Sequence, residues 1–232
     1  MRLRILGSLC VAIALVAGCT KEAEGQLPTP RMISDVLPTI TDMPDKWTET
    51  QRQFFDMRGN ENPSLDPSVW CSAADAVTKN LIDLAGESGA DVEMQAEMPS
   101  GTPRLMRLQA WANDDVKAYF RDAKEAVRIC DGQKVTDSVG VTEEYSIIAN
   151  RDIGDESISW IQTTTPPPST QKDKFETVGR TTIARFGSIL MVMQLGDAAS
   201  TGAVEPMNED KWWSIVELTG KKLDDLDSQV HK

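Results

Sequence analysis

The sequence predicts an α+β domain built on a mainly antiparallel sheet of about six or seven strands with three principal helices. Strand-like and helix-like patterns take turns along the chain in the order β-α-β-β-α-β-β-β-β-α. Several of the connections are shorter than the dozen or so residues that a parallel crossover needs, which favours antiparallel pairing. The run Ser188 to Leu195 (SILMVMQL) is apolar at nearly every position, as expected of a central strand covered on both faces.

The elements follow in order. A first strand spans Trp47 to Met57. Asp66 then caps a helix reaching about Glu87, with Pro67 at the first position, where a missing amide costs nothing, and Trp70, Ala74, Val77, Leu81 and Leu84 at helical spacing. Gly86 and Gly89 end it. Strands are expected over Val92 to Met98 and Arg104 to Ala112. Asn113 caps the second helix, whose opening Asp114 and Asp115 suit the positive end of the helix dipole, and Val116, Phe120, Ala123, Val127 and Cys130 form its buried stripe. Gly132 stops it. Four strands come next, over Glu144 to Asn150, Ser157 to Thr165, Glu176 to Phe186 and Ser188 to Leu195. The prolines at 166 to 168 make a loop, since they cannot donate to a ladder. Phe186-Gly187-Ser188 is read as a tight hairpin turn. A third helix runs from Asn208 to about Leu226, with Trp212, Ile215 or Val216, Thr219, Leu223 and Leu226 on one side and Gly220 as a weak point in its middle.

Ahead of the domain, Arg2 and Arg4 precede the apolar run Ile5 to Val16, and small residues lead to Cys19. This is the three-part build of a secretory signal, too short to span a bilayer. Val16-Ala17-Gly18-Cys19 resembles the lipobox of bacterial lipoproteins. The resemblance implies a signal peptide over 1–18, a diacylglyceryl group (and further acylation such as palmitate) on Cys19, and a lipid anchor on the extracytoplasmic face of the cell membrane. The rival reading is an ordinary signal with an accidental cysteine. Residues 19–44 hold Pro28, Pro30, Pro38 and Pro44 with few large apolar groups and read as the lipidated cysteine and a flexible tether. The domain is then 45–226, with 227–232 as a tail.

The formal charge of −12 becomes −14 once Arg2 and Arg4 leave with the signal. That argues against nucleic-acid partners and against a polybasic grip on anionic lipid. Discounting Cys10 and Cys19 leaves Cys71 and Cys130, which in an oxidising compartment most often pair. Such a bridge would stabilise the fold by about 4 kcal/mol on the chain-entropy view; two buried thiols are the alternative. The single histidine, His231, stands next to the end, so Ser-His-Asp, Cys-His and most zinc chemistry have no partner residue. The acidic turn of Asp152, Asp155 and Glu156 lacks EF-hand spacing. Neither a metal nor a cofactor is expected.

The helix WANDDVKAYFRDAKEAVRICDG, the strand carrying Trp160 after a variable loop, and the hairpin RFGSILMVMQL leading to a terminal helix together resemble the extracytoplasmic sensor domain of the actinobacterial Ser/Thr kinase PknH. Related domains occur as free-standing lipoproteins. The resemblance implies an antiparallel sheet with helices around a cleft, in a domain of an actinobacterial-type envelope that senses or binds a ligand rather than catalysing. Those domains usually carry two disulfides, a pattern that two remaining cysteines cannot reproduce.

Residue types alone single out one candidate site. Trp160 and Gln162 share a strand face, and neighbouring strands offer Arg107, Gln109, Arg180 and Arg185. Gathered on one face, these would form a groove with a ring and a few cationic donors, suited to an anionic or hydroxylated ligand; a sheet surface facing water is the plainer expectation. Function is thus expected to be non-enzymatic binding of a small ligand or an envelope protein. The alternative is a lipid or glycolipid carrier of the envelope, which needs a large apolar cavity.

Overall fold

Eight strands, one more than the upper expectation, form a single antiparallel sheet in a computed structural model that describes residues 26–44, 46–55, 89–98, 103–136, 138, 140–167, 177–198 and 207–232. They are β1 (Trp47–Phe55), β2 (Gly89–Ala96), β3 (Arg104–Ala112), β4 (Lys134–Thr136), β5 (Thr142–Ile147), β6 (Glu156–Thr165), β7 (Thr177–Phe186) and β8 (Ile189–Ala198), in the spatial order β1-β2-β3-β8-β7-β6-β5-β4. The three described helices are α1 (Pro30–Val36), α2 (Val116–Cys130) and α3 (Glu209–Val230). The expected helix over 66–87, with Cys71, and the lipobox with Cys19 lie outside the described residues. No helix among the described residues is long and apolar enough to cross a membrane.

Cross-strand partners share a face and successive residues alternate, so the register sorts the core into two halves. On one face Val92, Met94, Met106, Leu108, Met191 and Met193 pack under α1 and α3, with Ile33, Leu37, Trp212, Val216 and Leu223 as the covering layer. On the other face Trp111, Ile158, Trp160, Ile183, Leu190 and Val192 pack under α2, whose buried stripe Val116, Phe120, Ala123, Val127 and Cys130 is the expected one. β8 is central and buried on both faces over most of its length, as its sequence requires.

The expected ends of the domain, at 45 and 226, both differ from the structure. Residues 30–44 are no tether. Thr29 Oγ1 accepts from the Met32 amide at 3.3 Å, Pro30 takes the first helical position, and Ile33 and Leu37 are fully buried. A proline at that position favours a helix start instead of a flexible linker. Arg52 of β1 fixes the segment by donating to the carbonyls of Ser34 and Pro38, both at 2.7 Å. Nor are residues 227–232 a tail, because α3 continues to Val230 and Asp227 Oδ1 accepts from the Ser188 amide (3.0 Å) and hydroxyl (2.7 Å). This clamps the end of α3 onto the two-residue turn between β7 and β8. Gly187 in that turn has φ +54°, and a Cβ there would collide with the Asp227 carboxylate. Gly220 is explained by closeness too: a Cβ would stand 3.0 Å from both Ile153 and Phe186. The short β4 was not expected from sequence, and β2 begins three residues earlier than Val92.

Candidate functional site

Helix α2 covers only part of its face of the sheet. Toward the opposite end the same face is open, with Glu93, Gln162 and Gln194 part-exposed and Leu105 54 % exposed. Arg107, Gln109, Trp160 and Gln162 all lie on this α2 face. Arg107 and Trp160 occupy one row, joined through the cross-strand partners Gln194 and Thr181. Three strand spacings separate them, roughly 14 Å.

The charge of Arg107 is already committed. Its Nη2 and Nε donate to Asp91 Oδ2 at 2.6 and 3.0 Å, and Glu93 Oε1 lies 3.7 Å from Nε. Asp91 is 0 % exposed and its Oδ1 has no partner, so Arg107 is what compensates a buried carboxylate. Gln109 is covered, at 3 % exposure. Trp160, 7 % exposed, belongs to the core under α2, where it borders a cleft shared with Val127, Cys130, Tyr145 and Ile147. That cleft holds about 20 Å³, room for about one water and far below the few hundred Å³ of a ligand pocket.

The two remaining arginines do not join the group. Arg180 sits on the opposite face, because its partners Leu195 and Ile161 point under α3. Its guanidinium lies 5.9 Å over the Trp212 ring, and its Nη1 is buried without a partner. Burial holds its pKa below the usual arginine value, which the nearby Glu209 and Asp197 offset only in part. Asp197 itself is taken by Arg104 and by the Met207 amide. Arg185 shares the α2 face but stands four residues along β7 from Thr181, ion-paired with Asp155 (2.8 Å) and Glu156 (3.5 Å) and donating to the Gly187 carbonyl. It is a brace between turns. The expected cationic groove is therefore not assembled. The open face has no uncommitted cation among its described residues and carries the exposed Glu93.

Other candidates resolve into structure. Glu143 is buried and accepts from the Tyr145 hydroxyl at 2.7 Å, while Glu144 faces the other way and pairs with Lys134 at 2.7 Å. Cys130 is buried at the end of α2 and its sulfur is engaged; the chain's other cysteines all lie outside the described residues. A concavity of about 740 Å³ is bordered among the described residues by the charged outer surface of α2 and Glu156. Among the described residues the lining comes almost wholly from one helix, and no site is assigned there.

Neither a protein-family model nor a curated protein matches the chain.

Proposed function

We propose that the chain is a membrane-anchored extracytoplasmic lipoprotein, lipidated at Cys19, whose α+β domain binds a ligand or partner without catalysing a reaction. The observation that carries the reading is Val16-Ala17-Gly18-Cys19 at the end of a short apolar run behind two arginines. The fold adds a distance. Described chain begins at Gln26 and Leu27 packs against the core, so at most seven residue steps, about 25 Å of extended chain, separate the anchor from the domain. A tether reaching Pro44 would have allowed about 90 Å. The domain is held close to the bilayer, which suits recognition of something at or near the membrane surface.

The PknH-type sensor resemblance is part of this proposal and rests on the helix ending in Cys130 and the β7–β8 hairpin. A Cys71–Cys130 bridge belongs to the proposal as well, and it rests on the oxidising compartment and the cysteine count. The carrier alternative gains nothing from the 20 Å³ cleft beside Trp160.

One experiment tests anchor and bridge together. Protein extracted from membranes after labelling with a clickable fatty acid should carry the label at Cys19, lose it on Cys19→Ser, and yield a linked Cys71–Cys130 peptide pair in a digest without reductant. Label retained on Cys19→Ser refutes the anchor. Free thiols at both positions refute the bridge.

A further inference from the structure

All six glutamines in the described strands, Gln51, Gln53, Gln95, Gln109, Gln162 and Gln194, lie on the α2 face, and the opposite face has none among the described residues. No hydrogen bond among the described residues engages any of the six side chains. Each amide offers two donors and an acceptor oxygen, and all but Gln109 are half-buried or exposed. Among the described residues, the floor between them is low. Gly196 and Gly179 are cross-strand partners on this face, flanked by Leu105 and Gln162, and a Cβ on Gly196 would meet nothing within 4 Å.

We propose that this open face binds a neutral, polyhydroxylated chain, a glycan strand laid across β2, β3, β8, β7 and β6. The row from Gln95 through Leu105 and the two glycines to Gln162 crosses five strands, roughly 19 Å, which is the footprint of an oligomer rather than a single small molecule. Amides and hydroxyls are each donor and acceptor at once, so a row of unengaged amides matches a row of hydroxyls, and Leu105 gives an apolar spot for ring carbons. Charge rules out the other sign of ligand. Arg107 is held by Asp91, Glu93 is exposed, and the mature chain is strongly acidic, so an anionic polymer meets repulsion. A second copy of the chain fits poorly, since Leu105 is the one large apolar side chain exposed on the described part of this face and Glu93 would face an acidic surface. The inference rests on the non-enzymatic binding reading and names its ligand class.

The full chain in detergent micelles should be retained by immobilised dextran or mannan and not by heparin. Gln162→Leu with Gln194→Leu should weaken that retention by about tenfold with the near-ultraviolet circular dichroism unchanged. If that pair fails to fold, Gln162→Glu with Gln194→Glu keeps side-chain size and should weaken retention likewise. Retention by heparin alone, by neither neutral glycan, or undiminished in the folded variant overturns the proposal, as does a concentration-dependent dimer that the variant abolishes. Release of soluble fragments from dextran or mannan would overturn the non-enzymatic reading while leaving this face as the place of binding.

Discussion

The two faces of the sheet are made by the same strands and have opposite fates. On the α1/α3 face, Ile189, Met191, Met193 and Leu195 of β8 point into a continuous apolar layer. On the α2 face of that strand, Leu190 and Val192 are buried under the helix, and Gln194 and Gly196 then run out into the open. One strand of ten residues thus samples a closed core, a half-closed core and a solvent face. Among the described residues, what separates them is the helical cover, because α1 and α3 pack along one face and α2 packs on only part of the other. The open half carries unengaged amides beside Glu93 and an Arg107 already held by Asp91, and those amides are what make it a candidate site.

The comparison breaks most easily at its deepest point. Trp212 is fully buried between α3 and the sheet, and Trp212→Ala should cost about 3–5 kcal/mol in urea unfolding. Leu105→Ala, on the open half, should cost under about 0.5 kcal/mol. Equal losses would show that the open half is covered in solution.

A smaller effect sharpens the role of Arg107. Removing it strands the buried Asp91 carboxylate, and Arg107→Ala should cost about 2 kcal/mol, less than a fully buried pair would because Arg107 is partly exposed. Arg107→Met combined with Asp91→Leu should recover most of that loss, since both charges leave together. If Arg107→Ala is neutral in the unfolding midpoint, Arg107 is available to a ligand and the case against anions on this face fails.

Much of the fold was legible because period two and period 3.6 are written into the side chains. β3 has its expected bounds, and the α2 stripe is buried residue for residue. The failures have physical causes. The cap-and-proline signal recognised at Asp66-Pro67 is repeated at Thr29-Pro30, but seven helical residues between prolines resemble a linker until Ile33 and Leu37 are seen to have a sheet to bury against. β4 is three residues long, too short for an alternation to appear. Grouping Arg180 with Arg185 ignored that residues five apart on a strand point to opposite faces. Asp91 fell outside the expected strand, which began at Val92, so the partner that occupies Arg107 stayed invisible. The six glutamines needed more than parity: only the register between strands shows that they share a face, and register is not held in any one segment.

The smallest expected effect concerns how α1's neighbourhood joins the closed face. Asp42, in the single 3₁₀ turn Ile40–Asp42 that follows α1, accepts from the Thr39 amide at 2.8 Å and from Lys222 Nζ of α3 at 2.9 Å. Burial pushes its carboxyl pKa up, but the Thr39 amide and Lys222 outweigh that and leave it below the ordinary value of 3.8. A carboxyl with a depressed pKa in the folded state contributes stability that is fully present above about pH 4 and is lost as pH falls through the lowered folded value. Asp42→Asn removes the charge, so at pH 7 it should cost under about 1 kcal/mol, as expected for a part-exposed pair. The gap between the two proteins should hold at pH 5 and narrow toward pH 3, where the native carboxyl begins to take up a proton. Urea unfolding of both at pH 7, 5 and 3 reads this directly. A gap that stays constant to pH 3 would mean that Asp42 acts through its shape and hydrogen bonds alone, and that the tie between this turn and α3 is not electrostatic.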